Sequence, residues 1–483
     1  MSLDPPTYLS SMQDNIRARP IPWDGAVRAG HITDADLKRI KSVDKVRRDQ
    51  RKQTVEANLD DYSQLLLGGK NTKSVLERAG KRVDVVQYIL VLAGDMIDDI
   101  PALTSTLLAH PDPYSPFLPL LGQSSNLEDP IPLLTSSVLT SLMSSALLAS
   151  TKPNNLTSET AKALPKLYSY LSGLAKSSDS GRQDIAVQAY STLLRTKKAR
   201  ELFWDQKAET VTPLIEILRA AAGVGNNGET STLWNGAASF RNVAEAGLSG
   251  QVGLQLLYHV LLALWQLSFE GALVGDGLEE EHEIIPLLIQ LLRLSPKEKT
   301  TRLLVSTLVN LISANQSSLL PAAALARLPS LLETLSGRHL TDPDLSEDVA
   351  TLKEMLEEYT KTRTTFDQYA AEIRTGHLHW SPPHRNPNFW HENARRILDE
   401  NQSELPKKLA EIMGKSWEGD KQVLAIACND VGCLVKAVPE KRDYLEKLGL
   451  KARVMALMGE SDEAVRWESL RAVGEWLRYS FEG

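Results

Sequence analysis

Apolar residues return at helical spacing along most of this chain, and no stretch alternates in the way a half-buried strand requires. Val85, Ile89, Leu92 and Met96 share one helix face. Ile185, Ala189, Leu193 and Leu194 share a second, Leu257, Leu261, Leu264 and Trp265 a third, and Leu304, Leu308, Leu311 and Ile312 a fourth. Pro132, Pro165, Pro213, Pro286 and Pro329 each precede an apolar run, as suits a first helical turn that has no use for the missing N–H. Helices paired by short loops and restarted roughly every 40 to 50 residues match the HEAT or armadillo period. The expected fold is therefore all-α, a HEAT/armadillo-like helical repeat superhelix in two domains. Such arrays stack each unit on its neighbours and leave a long surface for segments of other proteins.

A chain of 483 residues exceeds what one core organises. The break in rhythm falls at Gly376-His-Leu-His-Trp-Ser-Pro-Pro-His-Arg-Asn-Pro-Asn-Phe-Trp390. Pro382 and Pro383 fix their own φ and push the preceding residue toward extended geometry, so no helix is expected to run through. Trp380, Phe389 and Trp390 carry too much apolar area for a loose connector and are expected to staple it to a neighbouring surface. This reads as an interdomain joint built from Trp380, Pro382, Pro383, Phe389 and Trp390. The expected division is a repeat domain over 1–345, a connecting helix over 346–375 and a smaller repeat domain over 376–483. Asp344 or Ser346 would cap the connecting helix, with Val349, Leu352, Leu356 and Tyr359 as its stripe. In the last domain the clearest faces are Val423, Ala427, Val431 and Leu434, then Val465, Leu470, Val473 and Leu477, about one repeat period apart. Gly449 lies where a helix end calls for positive φ.

Other stretches read as follows. Thr33 with Asp36 forms a helix start, and the helix is expected to continue to about Leu59. It carries Lys38, Arg39, Lys41, Lys45, Arg47, Arg48, Arg51 and Lys52, a solvated face balanced by Asp44, Asp49 and Glu56 rather than a nucleic-acid patch. Ala222–Asn235 and Gly271–Glu283 read as loops, the latter ending in an acidic run. Net charge is −7, which argues against a nucleic-acid binder. Cys428 and Cys433 read as reduced thiols on a helix. The first twenty residues lack a secretory signal, and the apolar helix Leu254–Leu267 falls short of a membrane span, so membrane contact is expected only through a partner.

Chemical motifs fail on context. Gly223-Val-Gly225-Asn-Asn-Gly228 spells a dinucleotide fingerprint but follows a helical run, not a strand. Gly414-Lys415-Ser416 imitates the end of a phosphate loop, yet Leu409 stands where the upstream glycine belongs. His377, His379, His384 and His391 match no zinc spacing and have no cysteine nearby. No catalytic residue, cofactor site or metal site is expected.

Leu378-His-Trp-Ser-Pro-Pro-His384, Asn388-Phe-Trp-His-Glu-Asn393, Ala427-Cys-Asn-Asp-Val-Gly432, Val438-Pro439, Leu448-Gly-Leu-Lys451 and Ser461-Asp-Glu-Ala-Val-Arg466 together resemble the H subunit of the vacuolar (V-type) proton-translocating ATPase. Ile21-Pro-Trp-Asp-Gly25 and Leu257-Tyr-His-Val-Leu-Leu-Ala-Leu-Trp265 agree. The resemblance implies a non-catalytic regulatory subunit on the cytosolic face of vacuolar or endosomal membranes. Its implied partners are the peripheral-stalk subunits, the catalytic hexamer and rotor shaft, and the cytosolic domain of the membrane sector's large stator subunit. It also implies support of coupled proton transport and silencing of hydrolysis by the detached soluble sector. The family's inhibitory loop corresponds by position to Lys415, Ser416, Trp417, Glu418, Asp420 and Lys421, with Trp417 as the single strongest contact candidate. The rival reading is an armadillo scaffold or transport receptor binding peptides in its groove; the nine tryptophans do not form the one-per-repeat series such grooves use.

Overall fold

The computed structural model describes residues 6–69, 72–122, 129–149, 156–223, 252–295, 297–361, 364–415, 417 and 420–478. Those residues form helices joined by short turns, with no strand among them. They divide into two compact units, one within Met1–Ile217 and Val252–Glu270, the other within Leu218–Gln251 and Gly271–Gly483.

In the first unit the expected faces become the core. Val85, Ile89, Leu92 and Met96 are all buried on the Val83–Asp99 helix, which packs on Pro130–Ala149. That second helix is long and apolar enough to cross a membrane, unlike Leu254–Ser268, yet most of it is buried inside the unit, as a core helix is. Ser158–Ala175 packs on Ser180–Leu193, which in turn packs on Leu254–Ser268. Tyr168, Tyr190 and Phe203 meet edge to face, with centroids 4.9 to 6.0 Å apart. The two buried hydroxyls donate to Ala199 O at 3.2 Å and Tyr168 O at 3.3 Å, so the cluster hides no unpaired polar atom.

Three expectations in this unit are corrected. The helix opened by Thr33 does carry the capping box with Asp36, but it ends at Val43 and restarts as Arg48–Glu56 and Leu59–Leu67. Lys45 takes φ 53°, and the Asp44 carboxylate is drawn off to accept from Tyr88 Oη at 2.5 Å. A tertiary contact thus overrides the local propensity. The basic face is balanced in part by Glu56, which lies 3.9 Å from Lys52, but mostly by partners distant in sequence: Arg39 pairs with Asp61 at 2.6 Å, Arg48 with Asp99 at 2.6 Å and Arg51 with Asp95 at 3.4 Å. Pro165 does not begin a helix; it lies inside Ser158–Ala175. Buried Leu164, Leu167, Tyr168 and Leu171 hold that helix through the roughly 3 kcal/mol cost of an interior proline.

In the second unit Gly271–His282 is a helix, not a loop. Its glycines are points of close packing. A Cβ on Gly271 would lie 2.8 Å from both Ala314 Cβ and Asn310 O, and one on Gly275 would strike the Asn315 amide. The helix Pro343–Lys361 is capped by neither Asp344 nor Ser346 but by Asp342, whose carboxylate accepts from Asp344 N at 3.1 Å. Val349, Leu352 and Leu356 are its buried stripe, with Tyr359 half-buried. The connecting segment is two helices, Pro343–Lys361 and Thr365–Thr375, the second opened by a Thr364–Asp367 capping box. Lys421–Ala437 buries Val423, Ala427, Val431 and Leu434 as expected and packs on Glu463–Arg478. That last helix buries Val465, Ser469, Ala472 and Trp476; Leu470 and Leu477, expected inside, are about half exposed.

Candidate functional site

The stretch that interrupts the helical rhythm is pinned down in the second unit. Thr365–Thr375 stops at Gly376, whose φ of +79° and N–H bonds to Glu372 O and Ile373 O close the helix end. The chain then runs non-helically through Ser381. Pro382 and Pro383 do not exclude helix altogether: they open the single turn Pro382–Arg385, and Pro387 opens Pro387–Asp399. Proline's fixed φ suits the first turn, where no N–H bond is lost.

What fastens this stretch is charge buried in the core. His384 is buried, its Nδ1 2.8 Å from both Asp430 oxygens and its Nε2 3.0 Å from Glu372 Oε2. Both carboxylates are buried as well. Burial works against a charged imidazole, but Asp430 and Glu372 outweigh it and push His384 up to about 10, so it is an imidazolium at neutral pH. Burial acts on Asp430 in the opposite sense and raises it against the pull of His384. Asn429 Nδ2 donates 3.0 Å to His384 O and 3.0 Å to Asp430, and His379 N donates 3.2 Å to Glu372. One cation is thus shared by two carboxylates from two helices, the arrangement in which removing a single partner strands a buried charge.

Around this clasp lies an aromatic shell. Tyr369 is buried, with ring centroids 5.5 Å from His384, 5.4 Å from Phe389 and 5.3 Å from Trp390. Phe389 and Trp390 are therefore core residues, and Pro383 is buried beside them. Trp380 is half-buried, with the Arg385 guanidinium 4.9 Å over its ring. Pro382 is exposed. Of the four clustered histidines, His384 and His377 are buried and paired to carboxylates; among the described residues no group of metal-ligating side chains converges.

The loop that follows Glu404–Met413 is held just as closely. Trp417 is buried, its Nε1 donates to Ile412 O at 2.8 Å, and its ring stands edge-on to His377 at 6.4 Å. His377 Nε2 in turn lies 3.0 Å from Glu283 Oε1. Glu283 occupies a left-handed turn, φ 51°, between Gly271–His282 and Ile284–Leu294. Beside it the Glu279 carboxyl is raised to about 7 by burial, helped by Glu283, while it accepts from Ile285 N at 2.9 Å. A path of contacts therefore runs from the acidic turn at 279–283 through His377 to Trp417. Lys415 is exposed; Asp420 is buried, and its N–H donates to Trp417 O at 3.2 Å. Lys421 pairs with Glu460 at 3.1 Å. Ser416 and Glu418 lie outside the described residues, as does the dinucleotide-like run beyond Gly223. The clasp itself escaped the sequence reading. Its one signal was a histidine after two prolines, and nothing local names Glu372 or Asp430 as its partners.

The family of V-ATPase H subunits matches in two parts, its N-terminal region over residues 7–356 and its C-terminal region over 362–481. A probable H subunit (form 1) of the V-type proton ATPase of Caenorhabditis elegans is 37% identical over 46% of this chain and 49% of its own. The V-type proton ATPase H subunit of Drosophila melanogaster is 34% identical over 49% and 50%. In both cases the matched region is about half the relative's length. A probable V-type proton ATPase H subunit of Oryza sativa subsp. japonica is 26% identical over 95% of each chain. Among solved structures, a designed armadillo repeat protein is 13% identical, covering 66% of this chain and 98% of its own at a TM-score of 0.36. With both parts of the family matched in order along one helical chain, the protein belongs to the family of V-ATPase H subunits.

Proposed function

We propose that this chain is a non-catalytic regulatory subunit of the V-type proton pump. It binds the peripheral stalk through its repeat domain, taken as residues 1–345. Its smaller domain, 376–483, reaches either the catalytic hexamer and rotor shaft or the membrane sector's large stator subunit, with 346–375 as the connection. In the assembled pump it supports coupled proton transport; on the detached soluble sector it silences ATP hydrolysis. It acts from the cytosolic face of the membrane, through the complex. The observation that carries this reading is the match of both family regions across nearly the whole chain. A stack of helices whose neighbours bury one another is stiff enough to transmit a docking event without chemistry of its own.

The loop 415–421 is the proposed inhibitory contact. Because Trp417 is folded against its own unit, contact through that ring requires release from Ile412 O and His377, and the exposed Lys415 is the part of the loop that meets a partner first. The test is to add the purified chain to the soluble sector of the pump stripped of it and follow ATP hydrolysis. Hydrolysis should fall, and the chain alone should turn over no nucleotide. Unchanged hydrolysis, or turnover by the isolated chain, would sink the reading.

A further inference from the structure

The last described helix, Glu463–Arg478, is apolar on two opposite sides. Its inner face is Val465, Ser469, Ala472 and Trp476, packed on Lys421–Ala437 and Leu450–Leu457. Its outer face presents Trp467, Leu470, Gly474 and Leu477 at i, i+3, i+7 and i+10, one stripe of a helix. Trp467 is 66% exposed, Leu470 51% and Leu477 50%. Single exposed apolar residues are ordinary, but three in line on one helix are not. Gly474 has no positive φ and nothing within 4 Å of where a Cβ would sit, so no internal packing accounts for it. It leaves a notch in the stripe through which another backbone can come close.

Beside the stripe opens a cleft of 720 Å³ between this helix, Lys421–Ala437 and the start of Pro387–Asp399. Trp380 and Trp390 form apolar wall, and Arg385, Lys436 and Arg471 give the rim its cations. Its two carboxylates, Glu468 and Glu475, are ion-paired with the helix's own Arg471 at 2.8 Å and Arg478 at 3.4 Å. Arg471 stands at i+4 from Trp467 and i−3 from Gly474, so the cleft and the apolar stripe are adjoining strips of one surface.

We infer that this surface docks an amphipathic helix of a partner protein, its apolar face on Trp467, Leu470 and Leu477 and an acidic flank toward Arg385 and Lys436. Stripe periodicity and the Gly474 notch suit a helix, and Arg385 and Lys436 beside the stripe select one with an acidic flank, since Glu468 and Glu475 already have Arg471 and Arg478 on their own helix. The inference stands apart from the pump assignment; it needs only the geometry of this face.

The test uses the full chain and two labelled amphipathic helices of about 18 residues, long enough to fold on contact. Both carry leucine at i, i+3, i+7 and i+10; one has glutamate flanks and the other lysine. Fluorescence anisotropy should show the acidic probe binding about tenfold tighter, with the gap closing at high salt. Leu470→Glu should weaken the acidic probe tenfold or more, and Lys436→Glu should weaken it while favouring the basic one. Both positions are exposed, so neither variant threatens folding, and Asp443→Ala, on another exposed helix, should change nothing. Equal affinity for the two probes, or full binding by Leu470→Glu, would overturn the proposal. So would self-association of the wild type in sedimentation that Leu470→Glu abolishes, because the occupant would then be a second copy.

Discussion

The Tyr168–Tyr190–Phe203 cluster of the first unit and the Glu372–His384–Asp430 clasp of the second do the same task by opposite means. Each joins neighbouring helices at a fully buried point. The first uses ring edges and two neutral hydroxyls, every one satisfied by a carbonyl, and its strength comes from area removed from water. The second spends burial on charge, which is tolerable only because the imidazolium has a carboxylate on each nitrogen. The difference follows from what is being joined. Regular helices meet by apolar stripes that need no further instruction. The 376–386 stretch has no helical stripe to offer, and directional charge fixes its position where area alone would allow it to slide.

The sharpest way to break this contrast is His384→Leu. It leaves two buried carboxylates with no cation, and urea unfolding should show a loss of about 3–5 kcal/mol. A loss under about 1 kcal/mol would mean that the clasp is ornamental and the aromatic shell alone holds the joint. A second test exploits titration. The folded pKa of His384, about 10, lies above its unfolded value of about 6.5, so its contribution is complete below the unfolded value and disappears as pH rises through 10. Stability of the wild type should therefore fall between pH 7 and 10, by at most about 1.4 kcal/mol per unit. His384→Gln should flatten that slope. An equal slope in both would assign the effect elsewhere.

For the apolar side, Phe203→Leu keeps most of the volume and removes the ring edges, and should cost roughly 1.5 kcal/mol or less with no dependence on pH. Amide exchange should quicken in the helices of that cluster and leave 364–399 unchanged; a change that spreads to the clasp would contradict independent anchoring. The smallest effect belongs to the link between the acidic turn and the loop. Glu283→Gln replaces the charged partner of buried His377 by a neutral amide and should cost about 1 kcal/mol, seen as faster exchange at Trp417 and Asp420. No change there would detach Trp417 from the turn.

These comparisons also separate what could be read along the chain from what could not. Helical periodicity depends on residues three and four apart, so the faces at Val85–Met96 and Val423–Leu434 were legible before any contact was known. The capping box at Thr33 and the positive φ of Gly449 are equally local. Glycine misled where its reason was distant: Gly271 and Gly275 look like loop residues until Ala314 and Asn315 are seen pressing on them. Leu470 and Leu477 misled in the other direction, because a stripe announces that something will cover it without saying whether that partner lies in the same chain. His384 is the extreme case. Its two carboxylate partners lie 12 residues before it and 46 after it, and only the folding of three helices onto one another brings the charges within hydrogen-bond reach.

The residues by themselves thus determined that this chain is a stack of helices whose rhythm breaks at Gly376, because propensity and periodicity act within a few positions. Tertiary structure alone decided which histidine stands between two carboxylates, which tryptophan is hidden and which helix shows an apolar face to water. Those properties depend on burial and on distance in space, and neither is encoded in the order of neighbours.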